Sequence, residues 1–376
     1  MARRRGNGDG SYFQRPDGRW EARLTLGNGV RKSVYGKTRA EVKAKAAELL
    51  QHAQAGLDVL TPDQTLEQYL ERWLVDVAQH AVRPTTYDSY ERVIRVRVLP
   101  TLGKVKLRSV TPQQLQALYN QLLENGLSAT SVVRTHAVLH SAFDQALRWN
   151  LLPRNPSDAT RPPRIKRQEM QALSRDQVTT LIEAASSPLT RALYAVAATA
   201  GLRRGEMVAL RWSDVDFDRR QLTVRRTAHR VRGKGVVMGE PKTNAGRRTV
   251  RLSAVALAAL KTHRSAQLEQ RLKAGPAWTD MNLVFASVRG TTIEEARVTR
   301  LFKRDLAAAG LPNVRLHDLR HTAATLLVEQ GVSMKAVQAA MGHSTISITM
   351  DIYAHVTPAM QDSVAEAMDK LFGTDH

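Results

Sequence analysis

A proline-rich, basic segment near the middle of the chain is the feature that most constrains the fold. Proline lacks a backbone N–H and fixes its own φ, so neither a helix interior nor a central strand tolerates several prolines in close succession. Residues 152–170 contain four prolines together with a group of basic side chains; these are Pro153, Pro156, Pro162, Pro163, Arg161, Arg164, Lys166 and Arg167. The sequence therefore predicts a stiff basic linker, with separately folded parts on either side.

The first 56 residues show the pattern of a small sheet followed by one helix. Three short β-prone runs, at residues 11–15, 20–26 and 30–35, are separated by the turn signals Pro-Asp-Gly and Asn-Gly. Thr38 is a favourable N-cap for the helix that follows, and Gly56 ends that helix. We expect a three-stranded antiparallel sheet plus a helix. Such a module either binds DNA with its sheet in a groove or is a small fold with a solvated basic face.

Residues 61–163 are predicted to form a helical bundle. Four segments place apolar residues at three- and four-residue spacing, namely residues 65–79, 84–98, 111–124 and 128–149. Proline stands near the start of the first three, where its missing N–H costs nothing. The pattern predicts four helices around one core.

Residues 170–376 are predicted to be mixed in structure but mainly helical. The nearly all-apolar helix at residues 189–200 must be buried, and β-type runs follow at residues 222–226 and 248–252. Further helices are predicted to begin at Ser253, Arg297, Asp318, Ser333 and Thr357. The chain as a whole is therefore expected to be a multidomain protein, mainly α with small β parts, whose C-terminal domain is mixed α+β.

The charge of the chain indicates a polyanionic partner. Lysine and arginine number 56 against 35 acidic residues, which gives a formal net charge of +21 and an isoelectric point near 10.7. No run approaches the roughly 18 apolar residues of a membrane-spanning helix, and the first ten residues are not a secretory signal. The absence of cysteine excludes disulfides, cysteine-ligated zinc and a thiol nucleophile. We expect a cytoplasmic protein that does not bind membranes.

Cleavage of a DNA phosphodiester without a metal needs a particular set of side chains. The negative charge that develops on the phosphate oxygens is best met by arginine, whose planar group donates to two oxygens at once. One side chain must attack phosphorus, and another must protonate the leaving oxygen. Tyrosine can attack because nearby arginines favour its phenolate.

The C-terminal part of the chain supplies these residue types in short motifs. Arg203 follows the apolar helix in Gly-Leu-Arg-Arg-Gly-Glu, and Glu206 lies one helical turn later, where it can orient that arginine. Lys242 lies between the two β-type runs, on a hairpin expected to reach toward DNA. His317 and Arg320 share one face at the start of a helix, where backbone N–H groups favour a phosphate. The six candidates are Arg203, Lys242, His317, Arg320, His343 and Tyr353.

The order and spacing of these six residues resemble the active site of tyrosine recombinases of the phage-integrase type. The intervals between them are 39, 75, 3, 23 and 10 residues. Each motif alone is common by chance, but their combination in one basic chain is specific. The resemblance extends to the layout of the chain: residues 1–56 look like the arm-binding domain, residues 61–163 like the core-binding domain, and residues 170–376 like the catalytic domain with a C-terminal tail helix.

The resemblance implies a phosphotyrosine mechanism. Tyr353 attacks the scissile phosphorus and forms a 3′-phosphotyrosyl bond, while Arg203 and Arg320 hold the non-bridging oxygens. Lys242 protonates the leaving 5′-oxygen. Two strands are exchanged in this way without net hydrolysis, so the recombinase integrates or excises a mobile element at specific DNA sites.

The resemblance also implies supporting roles and the absence of cofactors. His317 accepts a proton or a hydrogen bond near the tyrosine, His343 donates to the phosphate, and Glu206 supports the arrangement. Because the energy of the broken bond is kept in the phosphotyrosine, the reaction requires neither ATP nor another cofactor nor a metal.

The implied partner is double-stranded DNA with core-type and arm-type sites. Tyrosine recombinases work as homotetramers on paired sites, in a bacterial host, and an accessory DNA-bending or excision-directionality protein is a further possible partner. The linker and the basic strip at residues 225–234, with Arg225 and Arg226, are expected to contact the DNA backbone. A C-terminal helix near residues 357–371 packs either on its own domain or on a neighbouring protomer.

Two other functions fit parts of the sequence. Residues 332–349, with Gly342 near the middle, resemble a helix-turn-helix, so a non-enzymatic DNA-binding regulator is one alternative. A type IB topoisomerase, which shares the chemistry, is the other. A regulator has no need of Tyr353, and a topoisomerase has no need of the N-terminal sheet module.

Overall fold

The structure is a computed structural model of the chain. It describes residues 11–26, 29–54, 56–59, 62–165, 171–231, 233, 235–241, 246–343, 345, 346, 349, 350 and 373. The chain divides into two compact units, residues 1–167 and 168–376, and each is described by itself. The boundary falls within the predicted basic linker.

The N-terminal unit begins with a three-stranded antiparallel sheet followed by one helix, as the sequence predicts. Its elements are β1 (Ser11–Gln14), β2 (Trp20–Thr25), β3 (Arg31–Gly36) and α1 (Arg39–Gln54), with β2 in the centre of the sheet. Ala22 and Leu24 on β2 pack against Val42 and Ala46 of α1. The Thr38 hydroxyl accepts a hydrogen bond from the third helical N–H at 3.1 Å, which caps α1.

The other face of this sheet carries arginine and aromatic side chains. The Arg23 guanidinium lies over the Phe13 ring, 4.7 Å from its centroid, and Arg15 lies over Tyr35 at 5.6 Å. Glu21 is buried and accepts a hydrogen bond from Arg23 at 2.8 Å. The sheet therefore has one apolar face that packs on α1 and one cationic, aromatic face.

The rest of the N-terminal unit is a bundle of four helical rods around its own core. Its helices are α2 (Leu66–Trp73), α3 (Gln79–Ala81), α4 (Pro84–Val93), α5 (Leu99–Leu102), α6 (Pro112–Glu124) and α7 (Ala129–Arg148). Two π-helical turns, Leu74–Ala78 and Ile94–Val98, continue α2 into α3 and α4 into α5, so each pair forms one rod. The four predicted helices are therefore confirmed.

The C-terminal unit is built around the buried helix that the apolar run predicts. Its helices are α8 (Arg175–Glu183), α9 (Pro188–Ala200), α10 (Arg204–Val208), α11 (Ala254–Ala274), α12 (Glu295–Ala308), α13 (Asp318–Glu329) and α14 (Met334–Met341). Helix α9 packs against α8, α11 and α13, and most of its side chains are buried. Among the described residues, no helix is both long and apolar enough to cross a membrane.

The strands of the C-terminal unit form a small sheet and a separate hairpin. They are β4 (Val215–Asp216), β5 (Gln221–Val224), β6 (Thr227–Val231), β7 (Gly235–Gly239) and β8 (Arg248–Arg251). The sheet has the antiparallel order β4-β5-β8, and β6 pairs with β7. Strands β5 and β8 are the two predicted β-type runs.

The two predicted β-type runs, β5 and β8, pair with each other, and β6–β7 is an additional hairpin between them that the basic strip at residues 225–234 did not predict. His229 and Arg230 interrupt the apolar residues of β6, so the sequence lacks the alternation typical of a strand. Gly233 and Gly235 adopt φ angles of 73° and 70°, which allow the chain to reverse between the two strands. The structure thus places a hairpin before the segment that contains Lys242.

Gly201 provides a test of the packing between α9 and α14. It follows α9 with φ of 61°, and a Cβ on it would lie 2.5 Å from the buried Met341 side chain. Gly331 also has a positive φ, 72°, but a Cβ there would meet no atom within 4 Å. We expect Gly331→Ala to lower the free energy of unfolding by about 1–2 kcal/mol, because alanine disfavours the left-handed backbone. Gly201→Ala should lower it by about 1 kcal/mol or more in addition, because its Cβ would also collide with the Met341 side chain.

Chemical denaturation of both variants measures the difference. Equal losses in the two variants would mean that Met341 moves aside at no cost, and would contradict the packing described here.

Candidate active site

Three arginines converge on the C-terminal end of α14, where three consecutive carbonyl groups each accept a hydrogen bond from a different guanidinium group. The partial negative charge at a helix C-terminus favours cations there. We refer to these three residues as the arginine cluster. The pairs are Arg248 with the oxygen of Ala340 at 2.7 Å, Arg320 with that of Met341, and Arg203 with that of Gly342 at 2.7 Å.

Arg203 is held from two sides but remains partly open. It is the N-cap of α10, and Glu206 accepts hydrogen bonds from its backbone N–H at 2.9 Å and from its Nη1 at 2.8 Å. Glu206 is 3% exposed, whereas the Arg203 side chain is 38% exposed. The structure therefore fixes the base of this guanidinium and leaves part of it accessible to a ligand.

Arg320 is a nearly buried cation. It is 3% exposed and donates to the carbonyl oxygens of Gly201 and Met341. Burial, followed by the charges of Arg203 and Arg248, lowers the pKa of Arg320 to about 9, so it is still protonated at neutral pH. A cation that is buried among other cations is stabilised strongly when an anion binds beside it, because the anion replaces the interactions that the cation has lost with water.

The positive charge of the arginine cluster is only partly neutralised by the carboxylate bound to it. Its three guanidinium groups contribute +3, and Glu206 accepts hydrogen bonds from Arg203 and Arg248 and contributes −1. The net charge of this group of four residues is therefore +2. A ligand that carries or develops two negative charges complements this net charge.

Two histidines adjoin the arginine cluster. His317 is the N-cap of α13, and the His321 ring contacts it edge-on with 5.2 Å between ring centroids. His343 is 5% exposed, and its Nδ1 is 2.9 Å from the Thr349 hydroxyl. Burial is the main effect that lowers the pKa of both imidazoles to about 4, and the charges of nearby side chains, Arg320 among them, lower it further. Both are neutral at physiological pH and can accept or donate one hydrogen bond.

A basic cleft opens beside Arg203 and His317. Its volume is about 660 Å³, and its lining includes Arg204, Lys303 and Arg315. Within the described part of the chain, no three histidine or acidic side chains are grouped in a way that could hold a metal ion. The lining also includes Glu206 and Glu295, and Glu295 pairs with Arg204 at 2.9 Å. The partly exposed guanidinium group of Arg203 is available at this cleft as a cationic N–H donor to an anionic ligand.

The structure brings together four of the six predicted catalytic residues and the predicted supporting residue. These are Arg203, His317, Arg320, His343 and Glu206. Lys242 and Tyr353 lie outside the described residues, as does the predicted C-terminal helix.

The predicted DNA-contacting arginines differ in how they are held. Arg161 and Arg164 of the linker are exposed, while Lys166 and Arg167 lie outside the described residues. Arg226 donates to the buried Asp214 carboxylate at 2.9 Å, and Arg225 lies 3.6 Å from the same carboxylate with 61% of its side chain exposed. Arg225 is therefore the more available of these two to a phosphate.

Sequence reasoning missed Arg248 and Thr349. Arg248 lies two residues before the buried Val250 on a predicted strand, so alternation places both on one face, and this was the available signal. Nothing in the sequence marks Thr349 as the partner of His343.

Two family models match the chain. The model described as the phage integrase family matches residues 171–360, and the model described as the phage integrase N-terminal SAM-like domain matches residues 65–123.

Curated relatives and solved structures match over most of the chain. A protein described as tyrosine recombinase XerC-like, from Caldanaerobacter subterraneus subsp. tengcongensis, is 32% identical over 92% of this chain and 93% of its own length. A fragment of the Tn1549 transposon integrase, solved with transposon right end DNA, is 25% identical with a TM-score of 0.68 and covers 82% of this chain and 99% of that fragment. A lambda integrase tetramer bound to a Holliday junction shares the fold, with 20% identity and a TM-score of 0.58 over 93% of this chain and 96% of that one.

The two low histidine pKa values give a direct test of the site electrostatics. We expect the imidazoles of His317 and His343 to titrate near pH 4 rather than near 6.5. Because unfolded imidazoles take up protons near pH 6.5, these groups should also make the free energy of unfolding fall as the pH is lowered from about 6.5 toward 4. Imidazole NMR spectra, assigned with His317→Gln and His343→Gln, measure both values. Titration of both rings near pH 6.5 would contradict the described burial.

Proposed function

The chain belongs to the phage integrase family and is a tyrosine recombinase, and from this premise we propose which of its residues cut and rejoin DNA. The observation that carries the proposal is the convergence of Arg203 and Arg320 on adjacent carbonyl groups at the end of α14. Two guanidinium groups fixed side by side match the two non-bridging oxygens of one backbone phosphate.

We propose that Arg203 and Arg320 bind the scissile phosphate and stabilise the charge that develops on it. Because protein groups already fix both guanidinium groups, little reorganisation is needed when the phosphorus becomes five-coordinate. The partial exposure of Arg203 beside the basic cleft gives the phosphate a route to the cluster. The burial of Arg320 makes its interaction with an anion stronger than it would be in water.

The nucleophile and the general acid are proposed from the family motif alone. The Tyr353 oxygen attacks phosphorus, the bond to the 5′-oxygen breaks, and Lys242 gives that oxygen a proton. The products are a 3′-phosphotyrosyl ester and a free 5′-hydroxyl. Attack by the 5′-hydroxyl of the partner strand reverses these steps and releases the tyrosine, so phosphodiester bonds are exchanged without a cofactor or metal.

The two histidines fit supporting roles in this reaction. A neutral His317 can accept the phenolic proton of Tyr353 when the oxygen attacks. A neutral His343, oriented by Thr349 through one ring nitrogen, can donate a hydrogen bond to a phosphate oxygen. The role of His317 depends on its low pKa, because a protonated imidazole could not accept the proton.

The DNA partner extends beyond the scissile phosphate. We propose that residues 61–163 and the exposed linker arginines contact core-type sites, and that residues 1–56 bind arm-type sites through the cationic, aromatic face of their sheet. A homotetramer on two paired sites is the proposed active assembly, and the lambda integrase tetramer, which shares the fold, supports it. An accessory protein that bends DNA or sets the direction of recombination remains part of the proposal, as does action on DNA in the bacterial cytoplasm.

The use of the turn at Gly342 disfavours the helix-turn-helix regulator. That alternative covers residues 332–349, so its first helix is α14 and its turn is at Gly342. In this structure the carbonyl groups of Ala340, Met341 and Gly342 accept hydrogen bonds from Arg248, Arg320 and Arg203. The end of α14 therefore holds the arginine cluster, which a DNA-binding regulator does not need.

A covalent protein–DNA adduct tests the proposed function. We expect the protein to become attached to a nicked suicide substrate that carries its recombination site, because loss of the short 5′-hydroxyl fragment prevents religation. Denaturing gels should show the adduct with the wild-type protein and not with Tyr353→Phe, which lacks the attacking oxygen.

Two results would redirect the proposal. Specific binding without any adduct on a verified site would favour the regulator. Relaxation of arbitrary supercoiled DNA with no dependence on the recombination site would favour a type IB topoisomerase.

A further inference from the structure

Arg248 is a buried arginine that holds three separate parts of the C-terminal unit. Its side chain is 6% exposed, and its Nε donates to the carbonyl oxygen of Ala340 at 2.7 Å. Its Nη2 donates to Glu206 Oε2 at 3.0 Å, and its Nη1 to Glu206 Oε1 and to the carbonyl oxygen of Gly246, both at 3.3 Å. All three of its nitrogens are therefore engaged by protein oxygens.

We propose that Arg248 is a positioning residue for DNA strand cleavage, which orients Glu206 and, through it, the phosphate-binding Arg203. This inference rests on the proposed function, since Arg203 matters for cleavage only if it binds the scissile phosphate. Arg248 itself has no donor nitrogen left without a partner and so is not assigned to the phosphate.

The geometry of the shared carboxylate carries the proposal. Each oxygen of Glu206 accepts from both arginines: Oε1 from Nη1 of Arg203 and Nη1 of Arg248, and Oε2 from the backbone N–H of Arg203 and Nη2 of Arg248. The two-point contact with Arg248 fixes the plane of the carboxylate. The carboxylate in turn fixes the Arg203 guanidinium and the backbone from which it extends.

The charge of Glu206 also depends on Arg248. Burial raises the pKa of the Glu206 carboxyl, and the hydrogen bond and charge of Arg248 are the largest effects that lower it, so the net pKa is below the ordinary value. Among the described residues, the charged groups that interact with Glu206 are Arg203 at the start of α10, Arg248 on β8 and Arg320 on α13. When Arg248 is removed, burial acts on Glu206 with less opposition, and a neutral Glu206 holds Arg203 less firmly.

Arg248 also connects the segments that carry the other predicted catalytic residues. It lies at the start of β8, six positions after Lys242 in the sequence, and its partner Ala340 lies three positions before His343. One side chain thus joins α10, β8 and the end of α14. A shift of any one of them is transmitted to the guanidinium groups at the phosphate site.

Single-turnover cleavage of the suicide substrate at saturating protein tests the proposal. We expect Arg248→Gln to slow cleavage by roughly tenfold or more, which corresponds to about 1.4 kcal/mol of activation free energy. DNA affinity should change by no more than about twofold, because it comes from many phosphate contacts. Arg248→Lys, which keeps the charge but loses the two-point contact, should recover part of the rate. Arg251→Gln, at an exposed position of the same strand, is the matched control and should cleave like the wild type.

A double-mutant cycle separates positioning from a general loss of stability. If Arg248 acts through Glu206, the variant Glu206→Gln/Arg248→Gln should cleave no more slowly than the slower single variant. Losses that multiply would show that the two residues act independently and would overturn the proposal.

The pH dependence gives a second readout that a purely structural role would not produce. Because loss of Arg248 removes the largest effects that lower the pKa of Glu206, that pKa should rise in Arg248→Gln, and the rate of this variant relative to wild type should rise with pH. A constant ratio at all pH values would overturn the proposal.

A charge-free pair keeps the test decisive if Arg248→Gln does not fold. Glu206→Gln/Arg248→Met removes both buried charges at similar volume, a change that is often tolerated or stabilising. We expect it to fold and to bind DNA but to cleave at least about tenfold more slowly. Cleavage at the wild-type rate by any folded Arg248 variant would overturn this inference alone, whereas absence of an adduct with wild-type protein would overturn the proposed function.

Discussion

The C-terminal end of α14 is the feature on which the rest of the site depends. Gly342 ends this helix with a positive φ of 63°, and the carbonyl groups of the last turn point to arginines from three other elements. Helix α10, strand β8 and helix α13 are distant in sequence, and each contributes one guanidinium group. The helix terminus therefore acts as a common acceptor that brings like charges together, which unaided side chains would avoid.

The same arrangement explains why the site is suited to phosphate chemistry. Burying cations next to one another lowers the pKa of Arg320, and the single shared carboxylate of Glu206 offsets only part of the charge. The unfavourable energy of bringing these cations together is offset by the burial of the apolar core of the C-terminal unit, around α9 and its neighbours. In the proposed function, the excess charge is compensated when the ligand carries two negative charges, as an attacked phosphodiester does, so that binding favours the transition state over the ground state.

Local patterns in the sequence predicted much of the fold and part of the site. The apolar run of α9, the helical stripes of residues 65–149 and the turn signals of the N-terminal sheet are local, and the structure confirms them. The pairing of Arg203 with Glu206 could also be predicted, since residues three apart share one face of a helix. The predicted roles of these residues, and the domain functions, remain proposals, and Lys242 and Tyr353 lie outside the described residues.

Contacts between distant parts of the chain were not predictable from spacing. Arg203 reaches the Gly342 carbonyl across 139 positions, and Arg248 reaches Ala340 across 92. Backbone carbonyl acceptors leave no mark on the sequence, because every residue has one. The pairing of the two β-type runs, β5 and β8, agrees with the hairpin expected between them. The additional β6–β7 hairpin was missed for a related reason, since its strands lack apolar alternation and are defined by pairing with each other.

The central claim is that Arg203 and Arg320 neutralise charge on the non-bridging oxygens of the scissile phosphate. The most direct test replaces one of those oxygens and measures how much the rate of cleavage then depends on each arginine. Single-turnover cleavage is compared on a suicide site with an ordinary phosphate and on one with a neutral methylphosphonate at the same position. If the claim is correct, Arg320→Ala loses far more activity on the phosphate than on the methylphosphonate, because the methylphosphonate has already lost the charge that Arg320 neutralises. The same fractional loss on both substrates would contradict the account.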